Sequence, residues 1–249
     1  PSNLKKFDII FDKVCFSYKG EQTILNDINM QIPHGKTVVL LGGSGSGKST
    51  ILNLIQRIYE VDSGKIMIDG TDIRDIRLQY LRDCFATVNQ EVTLFDGTVK
   101  ENIAYGKLDA TDEEIISAAM VAAAHDFICD LPQGYETYIG ESGLHLAKNH
   151  KATIAIARAI LKDAPVLLLD EATSSLDEDS EQKVQMALDY LKKDRTTVVI
   201  ARRLQTIENA DYIYVLDNHR IVEGGTHEEL LAAGAEYSAI HAKLKNAKR

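Results

Sequence analysis

The stretch TVVLLGGSGSGKSTILNLI, residues 37–55, decides the reading of this chain. Thr37–Leu41 is a short apolar run of the kind carried by a strand buried on both faces. After a glycine-rich turn, Ile51, Leu54, Ile55 and Ile58 fall at i, i+3, i+4 and i+7, the spacing of one helix face. Strand, turn and helix therefore follow one another directly. Within the turn, Gly42 to Ser49 spells G-x-x-x-x-G-K-S, and this context gives that pattern its physics. Glycines let backbone N–H groups converge on phosphate oxygens, and the helix N-terminus adds positive potential. The Lys48 ammonium reaches the outer phosphates and the Ser49 hydroxyl can ligate Mg²⁺. Gly42, Ser44, Gly45, Ser46, Gly47, Lys48, Ser49 and Thr50 are accordingly the expected nucleotide-contacting residues. The bland alternative is a glycine-rich turn with no ligand, and the flanking strand and helix argue against it.

The second half of such a site is read in PVLLLDEATSSLD, residues 165–177. An apolar strand delivers Asp170 and Glu171 to its C-terminal edge, the edge at which open α/β sheets bind ligands. Asp170 is expected to hold Mg²⁺ through water and Glu171 to polarise an attacking water. Alone, this pattern also describes a strand end with solvated acids; paired with Gly42–Ser49 it points to phosphoryl chemistry.

Outward from these segments, IIFDKVCFSY and ILNDINMQI within residues 8–33 read as antiparallel strands with a turn at Lys19-Gly20. GKIMIDG (64–70) and ATVNQ (86–90) add strands. Between about 92 and 162 the character is helical, and TDEEIISAAMVAAAHDFI opens on a capping box, Thr111 to Glu114. TTVVIA (196–201) is a further core strand, reached through a helix with Val184, Ala187, Leu188 and Leu191 on one face. DYIYVLDNHRIVEGG (211–225) reads as a hairpin before an acidic-to-basic helical tail. Alternating strands and helices predict an α/β fold with a parallel sheet and right-handed crossovers. An antiparallel layer is expected near the N-terminus. One domain, 1–249, is expected, with a core of 1–91 and 163–249 and a helical lobe at about 92–162.

Composition narrows the function. The 249 residues are 45% hydrophobic and 26% charged, and no stretch approaches the roughly 18 apolar residues of a membrane helix. The opening PSNLKKFD shows no secretory leader, and a chain starting at Pro1 reads as part of a longer one. With 28 basic against 37 acidic residues the net charge is -9, which disfavours nucleic acid as a partner. Cys15, Cys84 and Cys129 are odd in number and lack C-x-x-C spacing, so they read as buried thiols. The seven histidines are scattered and spell no metal motif.

On these motifs the chain resembles the nucleotide-binding domain of ATP-binding cassette transporters, specifically of exporters with fused membrane helices. The resemblance runs from FDKVCFSY (11–18) to the C-terminal hairpin. It implies an ATPase that uses ATP and Mg²⁺, with Lys48, Glu171 and Gln90 as catalytic residues and Ser49, Gln90 and Asp170 around the metal. Gln90 lies in VNQEVTLFDGTVKENIAYG, whose LFDGTVKENI is exporter-like. Tyr18 would stack on adenine, the alternative being a tyrosine packed in the sheet. Asp177 would reach a partner subunit's site, the alternative being a helix N-cap. The implied partners are the transmembrane domains of an exporter and a second nucleotide-binding domain with an intact signature. The implied location is the cytoplasmic face of a membrane.

Two segments depart from the family pattern. Where the family carries L-S-G-G-Q, this chain has Leu146 followed by Ala147, Lys148, Asn149 and His150. Ala147 lacks the hydroxyl that would bond a terminal phosphate. Lys148 and Asn149 put side chains where glycine permits close approach and unusual dihedrals. In IARRLQTI (200–207), Arg202 replaces the family's histidine, and a guanidinium cannot exchange protons near neutral pH. Weak hydrolysis and impaired homodimerisation are therefore expected. The readings compatible with this are one half of a heterodimeric exporter, a regulatory or non-transport cassette, or an engineered monomeric one. A DNA-repair or translation cassette would need a coiled-coil insertion or a tandem second cassette, and a small-molecule kinase would need an acceptor site that the sequence does not show.

Overall fold

The computed structural model describes residues 3–20, 22–89, 91–171 and 178–247. Gln90 and Asp177 lie outside them. The described residues form two compact units. The first holds those up to Phe85, Pro165–Glu171 and those from Asp194 onward; the second holds Ala86–Ala164 and the helix Glu178–Lys192.

The first unit is α/β, as expected. Its antiparallel layer has the order Thr23–Ile32, Ile9–Ser17, Ser63–Ile68, Thr71–Asp72. Along Ile9–Ser17 the buried positions are Ile9, Phe11, Val14 and Phe16, so the alternation slips by one residue. The register shifts between Phe11 and Val14, where Lys13 has φ 49°, and this irregularity returns Val14 and Phe16 to the core face.

The main sheet runs Arg220–Gly225, Tyr212–Asp217, Thr37–Gly42, Thr196–Ile200, Val166–Asp170, and ends at Phe85–Val88, where the chain passes to the second unit. Thr37–Gly42 pairs in parallel with Thr196–Ile200 on one side and Tyr212–Asp217 on the other. Val38, Leu40, Val166, Leu168, Val198 and Ile200 belong to one buried cluster, so these strands are apolar because helices and the antiparallel layer cover them. Ile200 pairs with both Leu40 and Asp170. Parallel pairing thus brings Gly42, Asp170 and the residues after Ile200 to one sheet edge.

The helix after the glycine turn, Lys48–Ile55, buries Ile51, Leu54 and Ile55. Ile58, expected on the same face, lies beyond its end and is 50% exposed, because Arg57 at φ 54° breaks the helix first.

In the second unit, Thr98 and Thr111 cap the helices Val99–Ala104 and Asp112–Val121 through reciprocal bonds to Glu101 and Glu114. The run TDEEIISAAMVAAAHDFI is two helices rather than one: Ala123 at φ 58° separates Asp112–Val121 from His125–Asp130. Glu178–Lys192 buries Val184, Ala187, Leu188 and Leu191 and groups with Lys148–Lys162, outside the 92–162 span read for the lobe. Asn102, 1% exposed, accepts from the Phe95 N–H (2.8 Å) and donates to the carbonyls of Phe95 (2.9 Å) and Thr98 (3.0 Å). That explains LFDGTVKENI locally, since one amide closes the loop. Asn102→Ala should cost about 2–3 kcal/mol by leaving these groups unpaired, read as a lowered midpoint in denaturant unfolding. Among the described residues, no helix is long and apolar enough to cross a membrane.

Candidate nucleotide site

The glycine turn is shaped by close approach. Gly42 has φ 153°, and a Cβ there would lie 2.5 Å from the Leu216 carbonyl oxygen and 2.6 Å from Ser46 Oγ. At Gly47, with φ 100°, a Cβ would meet Leu25 Cδ2 at 2.6 Å. Only glycine fits either position. Lys48 Nζ folds back over the turn and donates to the carbonyls of Gly42 (2.7 Å) and Gly43 (2.8 Å) and to Ser46 Oγ (3.2 Å). Its three donors are engaged by the loop, so a phosphate oxygen must replace at least one of these acceptors.

Ser44, Gly45 and Ser49 are exposed, and no acidic residue stands in the first turn of Lys48–Ile55 to offset the helix dipole. Thr50 is buried, its hydroxyl 3.0 Å from the Tyr18 hydroxyl. Tyr18, just beyond the strand Ile9–Ser17, meets Phe16 and Tyr59 edge-on, with ring centroids 4.9 and 5.2 Å away. The structure therefore ties Tyr18 to the helix that opens at Lys48, in a cluster of aromatic rings.

Asp170 ends its strand with Oδ1 buried and without a hydrogen-bond partner. Burial pushes its carboxyl above the usual range, and the charges of Arg202 and Lys48 oppose that shift. Lys48 is pushed down, first by burial and then by the Arg202 charge, with Asp170 opposing. A lone buried carboxylate oxygen and the exposed Ser49 hydroxyl form a hard-oxygen donor set suited to Mg²⁺. Asp170 would have to be ionised to hold a cation, so with Asp170 as a ligand any Mg²⁺-dependent ATP affinity should fall on acidification at a pH above the ordinary aspartate range. Calorimetry from about pH 7 to 4.5 checks this.

Glu171 is 3% exposed and held at both oxygens: Thr206 Oγ1 donates to Oε1 (2.9 Å) and the Arg202 backbone N–H to Oε2 (3.3 Å). Sequence reasoning picked out Glu171 and Arg202 but missed Thr206, whose only signal was a hydroxyl residue four positions after Arg202 in IARRLQTI.

The departing segment opens the helix Lys148–Lys162 in the second unit. Ala147 is its N-cap and makes no side-chain cap bond. Lys148 and Asn149 are helical and absent from the positive-φ positions, so this backbone does not require glycine; the substitutions add bulk and charge without strain. Asn149 Nδ2 donates to Ser180 Oγ at 3.1 Å. His150 stacks on Phe127 with centroids 4.0 Å apart, and burial lowers its pKa. Ala147→Ser should supply the missing cap and stabilise the chain by about 0.5–2 kcal/mol, measured as a raised unfolding midpoint. The expectation of buried thiols holds for Cys84 alone: Cys15 is half-buried and Cys129 exposed.

Residues 25–174 match the family model described as ABC transporter. The ATP-dependent lipid A-core flippase of Acinetobacter baylyi is 50% identical over 235 residues, which is 94% of this chain and 41% of the flippase. The structure of a bacterial Atm1-family ABC exporter with ATP bound matches with a TM-score of 0.91 and 41% identity, over 97% of this chain and 42% of that one. The chain thus spans about two fifths of the length of these relatives.

Proposed function

Since the chain belongs to the ABC transporter family, we propose that it is the ATP-binding and ATP-hydrolysing part of an exporter, with its own turnover and self-association weakened. The observation that carries the reading is the pairing, on one sheet edge, of the Gly42–Ser49 loop with Asp170 and its unpartnered oxygen. In this reading the loop N–H groups and Lys48 bind the phosphates, and Tyr18 carries the adenine. Asp170, Ser49 and Gln90 would hold Mg²⁺, which would supply charge neutralisation to the phosphates. Glu171, fixed by Thr206 and the Arg202 N–H, accepts a hydrogen bond from the attacking water and so polarises it. Arg202 offers charge to a phosphate but no neutral acceptor.

Export requires transmembrane domains, and the reading places this chain against them at the cytoplasmic face of a membrane. It also calls for a second nucleotide-binding domain that supplies the signature this chain lacks. ATP titrations with and without Mg²⁺ test the site. The parent chain should bind MgATP more tightly than free ATP, and Asp170→Asn should abolish that difference. A difference that persists in Asp170→Asn would remove Asp170 from the metal site.

A further inference from the structure

Outside the nucleotide site, three residues far apart in sequence meet in the first unit. Glu208 ends the helix Leu204–Glu208, His227 opens His227–Ala233, and His241 lies within Glu236–Ala247. One ligand atom from each falls within 4.8 Å of the other two. Glu208 Oε1 and His241 Nε2 are already 2.8 Å apart. His227 Nδ1 lies 2.5 Å from the hydroxyl of Tyr237, a fully buried residue, which leaves Nε2 of that ring for another partner. A hydrogen-bond acceptor on the far nitrogen orients a metal-bound imidazole, and the Tyr237 hydroxyl oxygen is placed to accept from Nδ1–H. Tyr237 is fixed in turn: its backbone N–H donates to Glu223 Oε2 (2.6 Å), while Glu223 Oε1 is buried without a hydrogen-bond partner.

We propose that Glu208, His227 and His241 form a zinc site that staples the three C-terminal helices together. Two imidazoles and one carboxylate are a donor set that selects zinc over magnesium, with a fourth position for water. Tetrahedral ligands at about 2.1 Å stand about 3.4 Å apart, so the Glu208–His241 pair at 2.8 Å must open slightly and the pairs to His227, within 4.8 Å, must close by up to about 1.4 Å. Glu208, exposed at a helix end, has the freedom to move toward His227, and the partly buried His241 ring closes the remaining gap by rotation. Water reaches the site because Glu208 is exposed and both histidines are only partly buried. The alternative is a pair of ordinary contacts, Glu208 with His241 and His227 with Tyr237, that bind no metal.

The test uses the whole chain, stripped with EDTA and titrated with Zn²⁺ against a chromophoric chelator in excess Mg²⁺. Every variant carries Cys129→Ser, because Cys129 Sγ lies 3.5 Å from His125 Nε2 and is a second potential zinc ligand pair. One equivalent of Zn²⁺ should bind and raise the melting temperature. Tyr237→Phe should weaken binding about 10–100-fold, and Glu208→Gln or His241→Gln should weaken it further. Co²⁺ in place of Zn²⁺ should give the intense visible absorption of a four-coordinate ion, lost in His241→Gln. Melting in EDTA confirms that each variant folds. Absence of zinc binding, or affinity unchanged in both Glu208→Gln and His241→Gln, overturns the site.

Discussion

Lys48→Ala should lower MgATP affinity by on the order of 100-fold, about 3 kcal/mol. The ammonium is held by the Gly42 and Gly43 carbonyls at 2.7 and 2.8 Å and by Ser46 Oγ at 3.2 Å, which poises it above the loop where phosphate is to sit. Burial lowers its pKa, so it stands in a partly dry setting where a charge-assisted bond outweighs its value in water. Removing it takes away the loop's own side-chain cation. Calorimetry reads the effect directly, and unchanged affinity would remove Gly42–Ser49 from phosphate binding.

The second large effect concerns turnover. The parent chain should hydrolyse ATP far below the about 1–10 per second of a typical enzyme. Arg202→His, combined with Ala147→Ser, Lys148→Gly, Asn149→Gly and His150→Gln, should raise turnover by about 100-fold or more, the scale of a restored proton-compatible contact. Two glycines in the first turn of Lys148–Lys162 should cost up to about 1 kcal/mol each, partly offset by the new serine cap. Single-turnover hydrolysis with and without Glu171→Gln checks this. Fast turnover by the parent chain, abolished by Glu171→Gln, would show that neither departure matters.

The nucleotide site was legible in sequence because its determinants are local. An apolar strand, a glycine turn and a helix adjoin in residues 37–55, and a second apolar strand ends on Asp170. Parallel pairing through Thr196–Ile200 then had to bring the two together. What stayed hidden is tertiary. Nothing in period or propensity pairs Thr206 with Glu171, Asn149 with Ser180, or His150 with Phe127. Ala123 and Arg57 break helices at positive φ, where neither residue type signals a break. Histidines read as scattered meet at Glu208 because two helix ends and the middle of a third helix converge. Glycine was expected at Lys148 and Asn149 for close approach and for unusual dihedrals, and the regular helix found there removes the second reason.

We propose a phosphate site in a chain whose segment Ala147–His150 hinders closure of two copies around ATP. Such closure in a symmetric pair uses the same segment twice, so the defect counts at both sites. Sedimentation velocity in MgATP, with Glu171→Gln present to prevent hydrolysis, tests it most directly. The chain with its own Ala147, Lys148, Asn149 and His150 should remain a monomer, while Ala147→Ser, Lys148→Gly, Asn149→Gly and His150→Gln together should give an ATP-dependent dimer. A tight ATP-dependent dimer of the chain with its own segment would contradict the account.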